Sequence, residues 1–268
     1  MNSVFGEDRT LAAMQPIGLD DMKAVRLMNR VDQKYLAPAC RLAELLERIG
    51  EGYYVQRVAG EAVSPYKTLY FDTAERVMYL MHHNCKLGRQ KVRVRTYRST
   101  DTTFFEVKTK DNKRKTSKVR IPVEAEQFYH VDTLEEVRRF LWRNTPYRFA
   151  AEGGGEAAVQ ACLENRFNRI TLVDKGMSER VTLDSGIAFH NHATGRDADI
   201  GGLMVIEVKH EAGAPPSAIE RALHTMHISP CRMSKYCIGT ALTDPTMKHN
   251  RFKAKLLRID KITNPISA

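Results

Sequence analysis

Basic residues follow a two-residue rhythm along the segment that spans residues 86–120. This segment contains thirteen Lys or Arg residues and three Asp or Glu residues, so its net charge of +10 equals that of the whole chain. In a β-strand, successive side chains point to opposite faces of the sheet. If the segment forms strands, one face would present these charged residues: Lys91, Arg93, Arg95, Glu106, Lys108, Lys110, Lys118 and Arg120.

A sheet face with this excess of one sign is suited to binding an anion. The ordinary alternative is a polar face in water, but such faces usually mix both signs. Two cations about 4 Å apart repel each other by roughly 4 kcal/mol at an effective dielectric constant near 20, and a bound anion would offset that repulsion. Arg offers a planar fork to phosphate oxygens, and Lys offers a compact charge. The pattern therefore predicts a site for a chain of phosphates.

Two carboxylates interrupt the predicted cationic faces. Glu106 lies within the basic segment, and Glu207 shares a face with Lys209 in a later segment of the same rhythm. A carboxylate alone would repel phosphate, whereas Mg²⁺ and Mn²⁺ prefer oxygen ligands and can bridge a carboxylate to phosphate oxygens. Glu207 and Glu106 are therefore predicted metal ligands.

The elements that must position these residues are mostly strands. Alternating or aromatic-rich segments bounded by turn residues predict strands at Val31–Leu36, Tyr66–Asp72, Gln90–Arg98, Thr102–Lys110, Thr116–Val123, Phe167–Asp174, Ser178–Asp184, Ile187–Asn191 and Gly202–His210. Helices are predicted by apolar residues at helical spacing and by Pro and Gly at helix ends. An apparent capping box at Asp132–Glu135 marks one helix start. The predicted helices lie near Asp20–Asn29, at Pro38–Ile49, after Glu135, at Glu156–Asn165 and after Pro216.

Short connectors between these strands favour antiparallel pairing. We therefore predict an α+β fold with a closed antiparallel eight-stranded β-barrel and flanking helices. Residues 1–29 are expected to form a helical N-terminal extension, residues 30–244 the barrel domain, and residues 245–268 a basic C-terminal tail or helix.

Composition narrows the class of protein. Five cysteines are scattered through 268 residues without a CxxC pair, so a disulfide framework or a zinc site is not expected. The first residues lack a signal-peptide pattern, and no apolar run approaches the length of a membrane span, which together predict a cytoplasmic protein. The basic strands lack the interleaved aromatic residues of a base-stacking platform, so no nucleic-acid partner is expected.

An ordered set of short motifs resembles the VTC (vacuolar transporter chaperone) domain family. The motifs span about residues 30–240 and are Arg30-Val-Asp-Gln-Lys-Tyr35, Leu69-Tyr-Phe-Asp72, the alternating run Arg89 to Tyr97, Glu106-x-Lys108-x-Lys110, Phe167-Asn-Arg169, Arg180-Val-Thr-Leu-Asp184, Glu207-Val-Lys209 and Ser234-Lys-Tyr236. Two positions depart from the family pattern. Asp32 stands where a Glu is usual, and Phe167 replaces a usual Tyr.

The resemblance implies a triphosphate tunnel metalloenzyme that transfers the γ-phosphate of ATP to a polyphosphate chain with the help of Mn²⁺ or Mg²⁺. It implies that Lys34, Lys91, Arg93, Arg95 and Lys235 are catalytic. It also implies phosphate contacts from those five residues and from Lys108, Lys110, Lys118, Arg120, Arg169 and Lys209. Enzymes of this family often work beside a transporter, so a membrane-protein partner is a further expectation.

Two other functions remain open from the sequence. A tunnel triphosphatase or nucleoside-triphosphate phosphohydrolase would use the same cationic lining. A non-catalytic polyphosphate or nucleotide-binding module would use it without turnover, and the shorter side chain of Asp32 keeps this alternative open.

Overall fold

The computed structural model describes residues 9–24, 30–113, 115–150 and 155–264. Within these residues the fold is α+β. The helices are α1 (Arg9–Ala13), α2 (Leu42–Ile49), α3 (Val77–His83), α4 (Glu135–Asn144), α5 (Ala218–Thr225), α6 (Lys235–Thr243) and α7 (Lys253–Thr263). The strands are β1 (Pro16–Ile17), β2 (Arg30–Pro38), β3 (Tyr53–Gln56), β4 (Val63–Thr73), β5 (Arg89–Tyr97), β6 (Thr102–Lys110), β7 (Thr116–Val123), β8 (Arg148–Phe149), β9 (Ala158–Asp174), β10 (Glu179–Asn191), β11 (Asp197–Asp199) and β12 (Leu203–Glu211).

All twelve strands belong to one sheet. Its main path contains eight strands in the order β2-β12-β10-β9-β4-β5-β6-β7, and every neighbouring pair on this path is antiparallel. The short strands β1, β3, β8 and β11 pair beside this path. The eight principal antiparallel strands and the flanking helices of the prediction are therefore present.

The sheet is not closed by hydrogen bonds between its two end strands. Among the described residues, β2 pairs with β12 and β7 pairs with β6, but β2 and β7 do not pair with each other. Pro122 lies within β7 and has no N–H to donate to a ladder, which is typical of an edge strand. The predicted closed eight-stranded barrel is therefore not confirmed, and the described strands form one twelve-stranded antiparallel-dominated sheet without hydrogen-bonded closure.

Curvature still brings the two ends of the sheet to a common cavity. Lys34 of β2 lines this cavity together with Lys91 of β5, Lys108 of β6 and Thr116 of β7. The concave face is partly apolar, because α6 and α7 pack there against Leu36 and neighbouring side chains. The other part of the concave face carries the predicted cations.

The convex face holds two further apolar clusters. Helices α2 and α5 bury Leu45, Leu46 and Leu223 against one part of the sheet. Helix α4 buries Leu141 against Val94 and the neighbouring side chains of β5 and β6. Because apolar residues occupy the convex side of these strands, the alternating charged residues are placed on the concave side.

Several local predictions differ from the structure. The segment predicted as a helix at Glu156–Asn165 is mostly the first half of β9, because long-range pairing with β4 overrides the local helical preference. The two strands predicted at 178–184 and 187–191 are one strand, β10, with a bulge after Ser185. Helix α4 begins after Leu134, without a side-chain cap from Asp132.

Near the N-terminus, the predicted helix Asp20–Asn29 is described only in part, as a 3₁₀ turn at Asp21–Ala24, and residues 25–29 lie outside the described residues. The basic C-terminal residues contain α7, whose Ile259 is buried in the apolar cluster of the concave face. Within the described ranges, no helix combines the length and the apolar composition that a membrane crossing requires.

Candidate functional site

Charged side chains from seven strands and from the start of α6 form what we call the cationic channel on the concave face. It contains all of the cations predicted from the sequence: Lys34, Lys91, Arg93, Arg95, Lys108, Lys110, Lys118, Arg120, Arg169, Lys209 and Lys235. Three carboxylates lie among them: Glu106, Asp184 and Glu207. Eleven cations against these three carboxylates and Asp32, which lines the open end of the channel, leave a large positive surplus for an anion to offset.

Glu207 lies between two lysines. Lys34 of β2 is directly opposite in the strand register and forms a salt bridge with Glu207 Oε1. Lys209 Nζ lies 2.6 Å from Glu207 Oε2. Burial alone would raise the pKa of Glu207, but Lys209 and Lys34 hold it well below its ordinary value. Glu207 is therefore ionised, and it holds both lysines in the channel.

Asp184 lies between an arginine and a lysine. Arg169 donates from Nε to Oδ1 at 2.6 Å and from Nη2 to Oδ2 at 2.8 Å, and Lys235 at the start of α6 donates to Oδ2. The Asp184 side chain is only 4% exposed. Burial alone would raise its pKa, but these two cations lower it far below the ordinary range. The arrangement ties α6 to strands β9 and β10.

Glu106 repeats the arrangement on β6. Arg93 Nη2 lies 2.6 Å from Oε2, and Lys118 Nζ lies 3.0 Å from Oε1. The Glu106 side chain is fully buried. Burial alone would raise its pKa, but Arg93, Arg95 and Lys118 hold the pKa at about 2. Glu106 thus fixes two of the predicted phosphate ligands in place.

Several cations of the channel have no carboxylate partner in the part of the chain that the structure describes. Lys91 donates to Ser234 Oγ at 2.8 Å, and Arg95 donates to Thr68 Oγ1 at 3.0 Å. The guanidinium carbon of Arg120 lies 4.0 Å from the centre of the Phe104 ring. These contacts orient the cations without neutralising them, so their charge is available to a ligand.

Phe167 and Tyr66 form an aromatic floor beneath three of the cations. Their rings stack with centroids 5.0 Å apart. Lys235 Nζ lies 4.3 Å from the centre of the Phe167 ring, and the Arg169 guanidinium carbon lies 4.8 Å from the centre of the Tyr66 ring. Arg95 is 5.8 Å from both rings. The aromatic side chain at position 167 therefore supports cations by contact with its face.

The crowding of positive charge is visible in the pKa values of neighbouring groups. Burial and the adjacent Lys91 and Arg93 lower the pKa of Lys108 to about 8. Burial alone would raise the pKa of the Tyr70 hydroxyl, but Arg93, Arg95 and other cations lower it. Both shifts indicate a strong positive potential in the channel.

The carboxylates of the channel do not form a preassembled metal site. No group of three or more His, Cys, Asp or Glu side chains that could hold a metal ion occurs among the described residues. Mg²⁺ is often held by one or two carboxylates plus substrate phosphates. Glu207 fits that role better than Glu106, because its side chain is 16% exposed whereas that of Glu106 is fully buried. Metal binding by either residue stays a prediction.

Some residues of the channel were missed by the sequence reasoning. Asp184 belongs to a family motif but is not among the predicted site residues, and its position directly opposite Arg169 on the neighbouring strand makes it the partner of that arginine. Ser234 is likewise a motif residue outside the predicted site, yet it accepts a hydrogen bond from Lys91 and caps α6. Asp32 lies opposite Lys209 in the register and lines the open end of the channel.

Comparison with known proteins gives distant structural neighbours. A candidate adenylate cyclase from Vibrio parahaemolyticus is 12% identical, with a TM-score of 0.44 and coverage of 80% of this chain and 99% of that chain. A second candidate adenylate cyclase, from Bacillus halodurans, is 14% identical, with a TM-score of 0.46 and coverage of 77% and 94%.

A third neighbour is an adenylyl cyclase candidate from Hippeastrum, whose description reports a dominant triphosphatase activity. It is 14% identical, with a TM-score of 0.48 and coverage of 81% of this chain and 97% of that chain. No curated protein matches the sequence.

The family comparison is stronger. The model of the VTC domain matches residues 29–243, which is well over half of the chain and includes every cation and carboxylate of the channel. The matched range also ends with α6, whose first residue, Lys235, contacts Asp184. This confirms the resemblance inferred from the ordered motifs, and the chain belongs to the VTC domain family.

Proposed function

We propose that this protein is a polyphosphate polymerase that transfers the γ-phosphate of ATP to the end of a polyphosphate chain in the cationic channel. The observation that supports this most directly is the surplus of cations over carboxylates on the concave face of a VTC domain. A linear chain of phosphates has closely spaced negative charges along its length. It therefore matches cations distributed along several strands better than a compact anion would.

The proposed reaction needs positioning and charge stabilisation. An ionised oxygen of the acceptor chain attacks the γ-phosphorus of ATP, the bond from that phosphorus to the bridging oxygen breaks, and ADP leaves. Lys91, Arg93 and Arg95 would stabilise the charge that spreads over the transferring group. Lys34 and Lys235 would bind neighbouring phosphates. A bound Mn²⁺ or Mg²⁺, with Glu207 as its protein ligand, would supply additional neutralisation of phosphate charge.

The state of the carboxylates favours transfer over hydrolysis. Hydrolysis requires a water molecule to be activated, usually with help from a general base. Glu106, Asp184 and Glu207 each bind two cations, and their lowered pKa values make them weak bases. A phosphate acceptor is already ionised and needs no such base. Triphosphate hydrolysis is therefore the second candidate rather than the first.

The test is incubation of the purified protein with ATP and Mn²⁺, followed by gel detection of polyphosphate and measurement of ADP. We expect polymer and ADP to form together. Lys91→Ala should abolish both, because Lys91 lies in the channel, donates to Ser234 and has no carboxylate partner among the described residues, so its charge is available to phosphate. Lys253→Ala is a matched control, because Lys253 lies on the exposed side of α7 away from the channel.

The other outcomes separate the competing functions. Release of orthophosphate without polymer would identify a triphosphatase. Tight binding of triphosphate with no turnover would identify a binding module. Failure to bind either ATP or tripolyphosphate would refute the channel as a phosphate site.

A further inference from the structure

One end of the cationic channel opens into a cavity of about 400 Å³, which we call the mouth. Four lysines of the channel line it, namely Lys34, Lys91, Lys108 and Lys110. Four more cations line it from outside the predicted site, and these are Arg89, Arg232, Arg251 and Lys255. Asp32 is the one carboxylate among the described residues that line this cavity.

The outer cations of the mouth differ from those deeper in the channel. Within the described ranges, Arg89, Arg232, Arg251 and Lys255 form no salt bridge with a carboxylate. In contrast, the inner carboxylates Glu106, Asp184 and Glu207 each bind two cations. The charge of these four outer cations is therefore left for a ligand to offset.

The pKa of His82 reflects the positive electrostatic potential at the mouth. Its ring lines the mouth, and its Nδ1 is buried with no hydrogen-bond partner among the described residues. Burial and the cations around it, which include Lys91, Arg89 and Lys255, lower its pKa to about 2. His82 is therefore neutral, and it adds no charge to the eight Lys and Arg side chains that line the mouth.

Two of the outer cations come from the chain beyond the VTC match, which ends at residue 243. Their positions are fixed by packing. The Arg251 backbone N–H donates a hydrogen bond to His83 Nε2 at 3.4 Å, and the buried ring of Phe252 contacts the rings of His83 and Tyr79. Lys255 Nζ lies over the Phe252 ring at 5.6 Å. The C-terminal segment thus adds cations to the mouth in a defined place.

We propose that Arg251 and Lys255, with Arg89 and Arg232, form a chain-binding subsite for phosphates of a linear polyphosphate that extend beyond those held in the channel. This inference rests on the proposed function. The subsite is contiguous with Lys91 and Lys108 through the same cavity, so one linear polyanion can contact both sets. Phe252 is only 5% exposed, so the mouth offers little aromatic face to a nucleic-acid base.

The test compares ligands of two lengths. Binding of tripolyphosphate and of a long linear polyphosphate is measured by titration calorimetry for the wild type and for the double variant Arg251→Gln with Lys255→Gln. Lys253→Gln with Lys261→Gln is the matched control, because it removes the same charge from exposed positions of α7 that do not line the mouth. A single-stranded oligonucleotide is the third ligand.

We expect the first double variant to lose about tenfold in affinity for the long chain, which lies within the roughly 2-fold to 30-fold that two exposed ion pairs together contribute. Its affinity for tripolyphosphate should stay unchanged, and the control should bind both as the wild type does. Equal losses for both ligands, equal losses in the control, or equal binding of the oligonucleotide would overturn the subsite. If the wild type binds no tripolyphosphate, the proposed function itself fails, which is a separate result.

Discussion

Replacing Glu106 with Gln should destabilise the fold by about 3 kcal/mol near neutral pH. The carboxylate is fully buried and bound by Arg93 and Lys118. These cations and Arg95 overcome the effect of burial and hold its pKa at about 2, against an ordinary value of 4.5. That difference corresponds to about 3 kcal/mol at 1.36 kcal/mol per pKa unit. Removing one partner of a buried ion pair has a similar cost of about 3 to 5 kcal/mol.

The expected pH dependence has a definite sign. Because the pKa of Glu106 is lower in the folded state than in the unfolded state, its contribution is complete above an ordinary carboxyl pKa near 4.5. The contribution is lost as the pH falls toward about 2. The destabilisation of Glu106→Gln relative to the wild type should therefore shrink across this range.

Urea unfolding, followed by circular dichroism at a series of pH values, measures both effects. Glu135→Gln is the matched control, because Glu135 forms an ion pair of 2.8 Å with Arg139 in which both side chains are more than 60% exposed. Loss of this exposed pair should cost only about 0.5 kcal/mol. If Glu106→Gln costs no more than this control, the structural role is refuted. If it instead leaves stability intact and weakens Mn²⁺ binding, the original metal-ligand prediction is favoured.

Three further outcomes follow from the channel. Asp184→Asn should leave Arg169 and Lys235 without their carboxylate partner. In a thermal-shift assay, tripolyphosphate should therefore raise the Tm of this variant more than that of the wild type, and equal increases would contradict this. Tripolyphosphate affinity should fall as the pH rises through about 8, because Lys108 loses its proton there. Calorimetry should find that the affinity of Lys108→Gln depends less on pH. An unchanged pH dependence in this variant would argue against Lys108 as the titrating group. Phe167→Leu should weaken tripolyphosphate binding about fivefold, because the ring beneath Lys235 and Arg169 is lost. Phe167→Tyr keeps an aromatic ring and should bind as the wild type does. Equal binding by the wild type and both variants would exclude a role of the Phe167 ring in positioning these cations.

Much of the site could be predicted because alternation is a local property. Val92 and Val94 are buried beneath α4, and this forces Lys91 and Arg93 onto the opposite face of β5. The two hairpin strands β6 and β7 were predicted with the bounds that the structure has, since turn residues separate them. Pairing between distant strands was harder to predict. The first half of β9 has helix-favouring residues, and its long-range pairing with β4 and β10 makes it a strand.

The sequence alone determined that the chain has a strongly basic strand segment, a VTC-like order of motifs and carboxylates spaced among the cations. These features depend on residue types and on a two-residue period, which are independent of distant contacts. Tertiary structure decided which cation each carboxylate binds, because Lys34 and Glu207 are 173 residues apart and meet only through the pairing of β2 with β12. Among the described residues, it also left β2 and β7 unpaired with each other, and it placed Arg251 and Lys255 at the mouth, since both features depend on how the curved sheet and the packed C-terminal segment meet.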